Sequence, residues 1–230
     1  MTRNNNNQIG TITNILSDDQ INNNFTNDEL SLSNNKMSNK NLIRISFGLT
    51  NARSLWQKMD CLYDYFDNLS MSFVIVTETW FHECEAFGVL QTNAKHGHNL
   101  HMINRTRKKL NKSCVGGGVS IIFNKSKVTL KEFTVKRKGH EIVCARGKMQ
   151  NNTRPIFILG VYISTKYKAA QYHDCLSTLS EAILKIKTEA KDPYIILGGD
   201  FNHRNVTEAI GDYPDMKIVD TAPTLSLIHI

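Results

Sequence analysis

YIILGGDFN, residues 194–202, opens with five residues of mostly apolar, partly β-branched character and then changes chemistry within four more. The run from Tyr194 to Gly198 predicts a strand buried on both faces. Gly198 and Gly199 read as its break. Asp200 and Asn202 would then project from the carboxyl end of that strand while Phe201 turns back into the core, and open α/β sheets place ligands at that edge. A carboxylate and an amide two residues apart can share one phosphate or one water, the first taking a proton and the second donating to an oxyanion. The same Gly-Gly-Asp spacing also fits a plain turn, so the stretch needs company.

Working outward, residues 169–190 carry Tyr172, Leu176, Leu179, Ile183 and Ile186 at alternating spacings of four and three, which predicts a helix lying on a sheet. Strands are expected at residues 119–123, 128–135, 141–149 and 155–163, with charged linkers between, giving antiparallel neighbours; the last of them places Tyr162 at its end. Residues 99–104 read as a further strand. Gly116, Gly117 and Gly118 lack the lysine and Ser/Thr of a P-loop and precede a strand, so close sheet packing is the expected reason for them. Further upstream, residues 73–76 (FVIV) predict a buried strand that hands over to Glu78. Residues 42–50 (LIRISFGLT) predict a half-buried strand ending at Asn51. Ser54 is expected to cap a helix whose stripe is Leu55, Met59, Leu62, Phe66 and Leu69. His82, His96 and His98 have no metal-ligand spacing and read as solvated loop residues.

Residues 1–40 hold twelve asparagines and few large apolar side chains, and are expected as a disordered leader. Residues 41–224 form the domain, and residues 225–230 read as a tail of doubtful origin. Five cysteines spaced about thirty apart, with no C-x-x-C pair, argue against a disulfide framework or a structural zinc site and for reduced, packed thiols. No apolar run reaches membrane-spanning length and no signal-peptide core is present, so a soluble, intracellular protein is expected. The formal charge is +7, and between Arg105 and Lys148 thirteen Lys/Arg stand against two acids. A basic segment of this kind fits a polyanion, nucleic acid first, although a solvated basic surface gives the same composition.

Asn51, Glu78, Tyr162 and the pair Asp200/Asn202 thus sit at four predicted strand ends. With the motifs T-N-A-R-S, V-T-E-T-W, G-G-G-V-S-I-I, G-V-Y-I and L-G-G-D-F-N, this order resembles the endonuclease/exonuclease/phosphatase superfamily across residues 42–224. The likeness is strongest to the apurinic-type endonuclease domain of non-long-terminal-repeat retrotransposons, which nicks target DNA so that a reverse transcriptase can prime from it. The resemblance implies a four-layered α/β sandwich, two mixed sheets packed face to face with helices outside, and a metal-dependent phosphodiesterase. It would make Glu78 the principal ligand of Mg²⁺ or Mn²⁺, with Asn51 helping to hold metal or phosphate. By the same resemblance Asp200 would orient and deprotonate the attacking water, Asn202 would donate to the phosphorane oxygens, and Tyr162 would contact the scissile phosphate. Arg53, Arg105, Arg107, Lys108 and Lys109 are the candidate nucleic-acid contacts. A nuclear location and a partner reverse-transcriptase domain follow from the same likeness.

The family's later Asp and its closing Ser-Asp-His motif have no counterpart here. His229 lacks the Ser-Asp before it, and His203 sits too close to Asn202. The expectation is therefore a domain incomplete at its C-terminus with impaired catalysis. A phosphatase or phospholipid diesterase of the same fold, or a non-catalytic nucleic-acid-binding fragment, are the alternatives.

Overall fold

A computed structural model describes residues 10–16, 43–81, 100–105, 116–149, 154–202, 213, 217–222 and 225–229. Two mixed β-sheets pack face to face. The first has strand order β1-β2-β3-β5-β4, with β1 Gly10–Leu16, β2 Ile43–Asn51, β3 Phe73–Thr77, β4 Leu100–Arg105 and β5 Val119–Asn124. The second runs β10-β11-β9-β8-β7-β6, with β6 Val128–Glu132, β7 Glu141–Met149, β8 Pro155–Tyr162, β9 Tyr194–Asp200, β10 Lys217–Ala222 and β11 Leu225–His229. Helix α1 (Met59–Asn68) connects β2 to β3, and α2 (Ala169–Glu189) connects β8 to β9. Both connected pairs are parallel, as a helical crossover requires.

The strands read as unbroken apolar runs because each face of each central strand is covered. Phe73 and Ile75 of β3 point into the space between the sheets with Ile121, Val143, Ile158 and Ile196, while Val74 and Val76 turn outward onto α1. Likewise Phe157, Leu159 and Leu197 face α2, where they meet Tyr172, Leu176, Leu179, Ile183 and Ile186. The expected helical stripe is thus the buried face of α2. On α1, Leu55, Met59, Leu62 and Phe66 are buried as expected, but Leu69 lies past the last turn and is 39 % exposed. Fully burying a side chain of this size contributes about 1.5–3 kcal/mol, so the three apolar layers dominate stability.

Several sequence readings are corrected. Gly198 and Gly199 do not end β9, which continues to Asp200. A Cβ on Gly199 would stand 2.1 Å from the Val161 carbonyl oxygen, so glycine here permits close approach of β8 and β9. Ser54 does not cap α1: a 3₁₀ turn, Trp56–Lys58, leads into the helix, and Leu55 at its start makes no side-chain cap. The Asn-rich leader is not wholly without structure, since Gly10–Leu16 pairs antiparallel with β2. The physical reason is the alternating β-branched sequence GTITNIL beside a strand that would otherwise be a bare edge. Residues 225–229, read from the sequence as a tail of doubtful origin, form β11, which lies between β9 and β10 with Leu225 opposite Asp200. His82, His96 and His98 lie outside the described residues. Among the described cysteines none is in a disulfide; Cys144 and Cys175 are buried and Cys61 is exposed.

Replacing Gly199 by Ala forces the new methyl group into the Val161 backbone. We expect a loss of about 3 kcal/mol, the upper range for overpacking, read as a lower urea midpoint with an unchanged slope.

Candidate active site at the strand ends

The two parallel pairs bring their carboxyl ends to one level. Asn51 is in register with Thr77 across β2 and β3, and Tyr162 with Asp200 across β8 and β9. Because β2 and β3 lie against β8 and β9 in the sandwich, the four ends meet at one mouth. There the Asn51 Nδ2 donates to Glu78 Oε1 at 3.1 Å and to Asp200 Oδ2 at 2.6 Å. The Tyr162 hydroxyl donates to Glu78 Oε1 at 3.3 Å. One nitrogen within hydrogen-bond reach of two carboxylates requires those carboxylates to lie within a few ångströms of each other. Asn51, Glu78, Tyr162 and Asp200, scattered in sequence, are therefore one cluster.

The cluster is held by its backbone. Three loops are stitched side by side: the Ala52, Ser54 and Leu55 N–H groups donate to the Thr77, Glu78 and Thr79 carbonyls, and the Thr79 and Trp80 N–H groups donate to the Gly118 and Gly117 carbonyls. The stitching sets Arg53, Ser54, Glu78 and Trp80 at positive φ, with Glu78 at 51°. Non-glycine residues there cost about 1–3 kcal/mol each and gather at functional sites. Gly116, Gly117 and Gly118 all have positive φ, and a Cβ on Gly118 would stand 2.4 Å from the Thr79 Oγ1. The triple glycine thus serves the turn that carries Glu78, where sheet packing was expected.

Asp200 is only 2 % exposed. A buried carboxylate needs donors; the Asn202 N–H supplies one at 3.1 Å and Asn51 the other. The Asn202 side chain donates from Nδ2 to the Ile163 carbonyl at 2.7 Å, tying the β9 end to the β8 end and leaving its second amide hydrogen. The Asn51 Oδ1 accepts the Arg53 N–H, which turns the amide nitrogen toward the carboxylates. Arg53 itself is exposed beside the mouth.

Two adjacent carboxylates attract a cation. Glu78 and Asp200 are a hard-oxygen set of the kind Mg²⁺ uses, one or two carboxylates with waters filling the remaining positions. Among the described residues no three His, Cys, Asp or Glu side chains form a metal-holding group, which leaves this pair.

The basic segment is less uniform than its composition. Arg137 bonds Glu132, Lys138 pairs with Glu181 and Asp174 on α2, and the Lys127 Nζ donates to the Ser70 carbonyl. Part of the positive charge is spent within the fold. Arg105 ends β4; Arg107, Lys108 and Lys109 lie outside the described residues.

No protein-family model and no curated protein sequence matches the chain. Solved structures do. D. rerio TDP2 humanised by 14 mutations aligns with TM-score 0.56 at 14 % identity, over 80 % of this chain and 82 % of that one. The human Nocturnin catalytic domain aligns with TM-score 0.52 at 10 % identity, over 76 % and 74 %. The fold is that of the endonuclease/exonuclease/phosphatase proteins. D. rerio TDP2 complexed with a single-strand DNA product shares this endonuclease/exonuclease/phosphatase fold, with TM-score 0.51 and 15 % identity over 76 % of each chain.

Glu141 at the start of β7 went unnoticed in the sequence. It lies opposite Tyr162 in register, and its Oε2 accepts the Gly118 N–H at 2.6 Å. A single acid at a strand start carries no sequence signal.

Burial raises the Tyr162 phenol well above its ordinary value of 10.0, and the negative charges of Glu78, Asp200 and Glu141 add to the shift. Tyr167 is pushed up to about 12, chiefly by burial. Below pH 10 both phenols keep their protons in the native and unfolded chains alike. Above it the native state binds more protons than the unfolded one, so stability falls as pH rises from there through the native values. Urea melts between about pH 9.5 and 11, around the ordinary tyrosine value, should show a steeper loss for wild type than for Tyr162→Phe.

Proposed function

We propose that this chain is a metal-dependent phosphodiesterase that nicks DNA, of the kind found in non-long-terminal-repeat retrotransposons. The observation that carries the reading is the single Asn51 nitrogen held between the Glu78 and Asp200 carboxylates, which come from different sheets. Glu78 would hold Mg²⁺ or Mn²⁺, with Asn51 helping on metal or phosphate. The bound ion would supply Lewis-acid neutralisation of the charge that builds on the phosphate oxygens. Asp200, buried and oriented by the Asn202 N–H, is placed to take a proton from water. The Tyr162 phenol, which keeps its proton, is a donor for a phosphate oxygen, and the free amide hydrogen of Asn202 is another. Exposed Arg53 beside the mouth supports a polyanionic substrate over a small head group, and the D. rerio TDP2 structure complexed with a single strand DNA product is consistent with a nucleic-acid substrate.

Turnover should be slow. The resemblance assigns a histidine to the phosphate, but His140 is engaged by Tyr167 and Asp174. In β11, His229 is in register with Ile196, four residues before Asp200 and away from the mouth.

Supercoiled plasmid incubated with the purified chain and Mg²⁺ should be converted slowly to the open-circular form. Chelation should stop the reaction, and Asp200→Asn or Glu78→Gln should slow it about 100-fold or more, the usual scale for a lost proton-transfer group. Equal nicking by wild type and Asp200→Asn would overturn the assignment. Metal binding lost in Glu78→Gln without turnover would select a non-catalytic binding role.

Duplex DNA affinity should fall linearly with the logarithm of salt concentration. Binding indifferent to salt, with hydrolysis of soluble phosphate or phospholipid esters, would favour the alternative diesterase or phosphatase.

A further inference from the structure

Beyond the four strand-end groups, one acidic side chain links the two sheets across the mouth without joining the carboxylate pair. The Oε2 of Glu141, on the second sheet, accepts the backbone N–H of Gly118, on the loop before β5 of the first. At 2.6 Å this is a short bond into a carboxylate oxygen. From Gly118 the connection runs onward through hydrogen bonds, one peptide link and one strand-register pair. The Gly118 carbonyl accepts the Thr79 N–H and the Gly117 carbonyl accepts the Trp80 N–H. Those two residues immediately follow Glu78, whose φ of 51° persists only if its neighbours are held. Glu78 in turn accepts from Tyr162, and Tyr162 is in register with Glu141. The circuit closes on itself: Glu141, Gly118, Thr79 and Trp80, Glu78, Tyr162, Glu141.

Two further facts fit this circuit. A Cβ on Gly118 would stand 2.4 Å from the Thr79 Oγ1 and the residue's φ is 92°, so a larger residue here would displace the Thr79 side chain, and the glycine loop can transmit position to the turn. Among the described residues, the buried Thr79 Oγ1 and Trp80 Nε1 have no hydrogen-bond partner, so neither side chain fixes the turn by a hydrogen bond there. Backbone bonds hold it instead: the Thr79 and Trp80 N–H groups to the glycine loop on one side, and the Glu78 and Thr79 carbonyls to Ser54 and Leu55 on the other.

We infer that Glu141 is a positioning residue for the Glu78 carboxylate, acting through the Gly118 N–H and the glycine loop rather than as a ligand of the cation. The absence of any three-acid metal group among the described residues separates it from Glu78 and Asp200. What the circuit needs from Glu141 is an acceptor oxygen at a fixed reach, and its negative charge is secondary. The inference rests on the metal-binding reading of Glu78 and Asp200 for its consequence, though not for its geometry.

The test compares Glu141→Gln, Glu141→Asp and Glu141→Ala in a Trp56→Phe background, which leaves Trp80 as the only tryptophan of the two in the chain. Mn²⁺ titration is followed by Trp80 fluorescence, and backbone amide exchange is followed at Gly118, Thr79 and Trp80. Gln keeps an oxygen at the same reach without the charge, and Asp keeps the charge one methylene short. Gln should bind Mn²⁺ as wild type does, whereas Asp and Ala should bind about tenfold more weakly, the lower end for lost support of a metal ligand. In Asp and Ala the three amides should exchange about tenfold faster, as expected for one lost hydrogen bond, and amides in α2 should be unchanged. Gln as weak as Ala would overturn the proposal in favour of a charge effect. Unchanged exchange at the three amides in Asp and Ala would overturn it outright. If wild type binds no Mn²⁺, the metal reading fails while the exchange result still decides whether Glu141 positions the turn.

Discussion

Two carboxylates brought within reach of one amide nitrogen repel each other, and Glu78 and Asp200 are held there against that repulsion by groups from both sheets. Asn51 places partial positive charge between them, the Tyr162 phenol donates to one, and the Asn202 N–H donates to the other. None of these donors works alone. Each sits at a strand end whose height is fixed by a parallel partner, so hydrogen-bond register within each sheet sets the geometry across the gap. The apolar layers supply the stability that the charged mouth consumes. Between the sheets, Phe73, Ile75, Ile121, Ile158 and Ile196 fix how closely the two parallel pairs approach, and with it the distance at which the acids face each other.

The central strands were legible because burial on both faces leaves an unmistakable signature. FVIV, VSIIF and YIIL are almost wholly apolar, with Ser120 the one small polar exception in these runs, because one face meets the opposite sheet and the other meets a helix. The stripe on α2 was equally plain. Glycine was harder to read. At Gly199 it marks a close backbone approach inside a strand, and at Gly118 a close approach between loops; a sequence shows only that a side chain is missing, with no sign of what occupies its space. Ser54 was misread for a related reason. A serine before a helical stripe suggests a cap, but its backbone is committed to the Glu78 carbonyl and its φ of 80° belongs to the stitched loops.

Motifs singled out Asn51, Glu78, Tyr162 and Asp200 in the sequence, and the structure brings these four side chains together at one mouth. Their support was not legible in the sequence. Glu141 has no motif of its own and matters only because register sets it opposite Tyr162 and beside the glycine loop. The Gly10–Leu16 strand shows the converse limit. Composition averaged over forty residues hid seven whose alternation suits an edge, and only the presence of β2 gives that alternation something to pair with.

The Asn51–Asp200 bond spans 149 positions of sequence. Contacts of such separation form only after the intervening chain has been ordered, because the entropy of closing a long loop must be met before the contact stabilises anything. The acidic mouth is therefore complete only when both sheets are docked, and an ion that settled between the two carboxylates would recognise that docked form. Such an ion would add its binding free energy to the docked domain alone, by mass action.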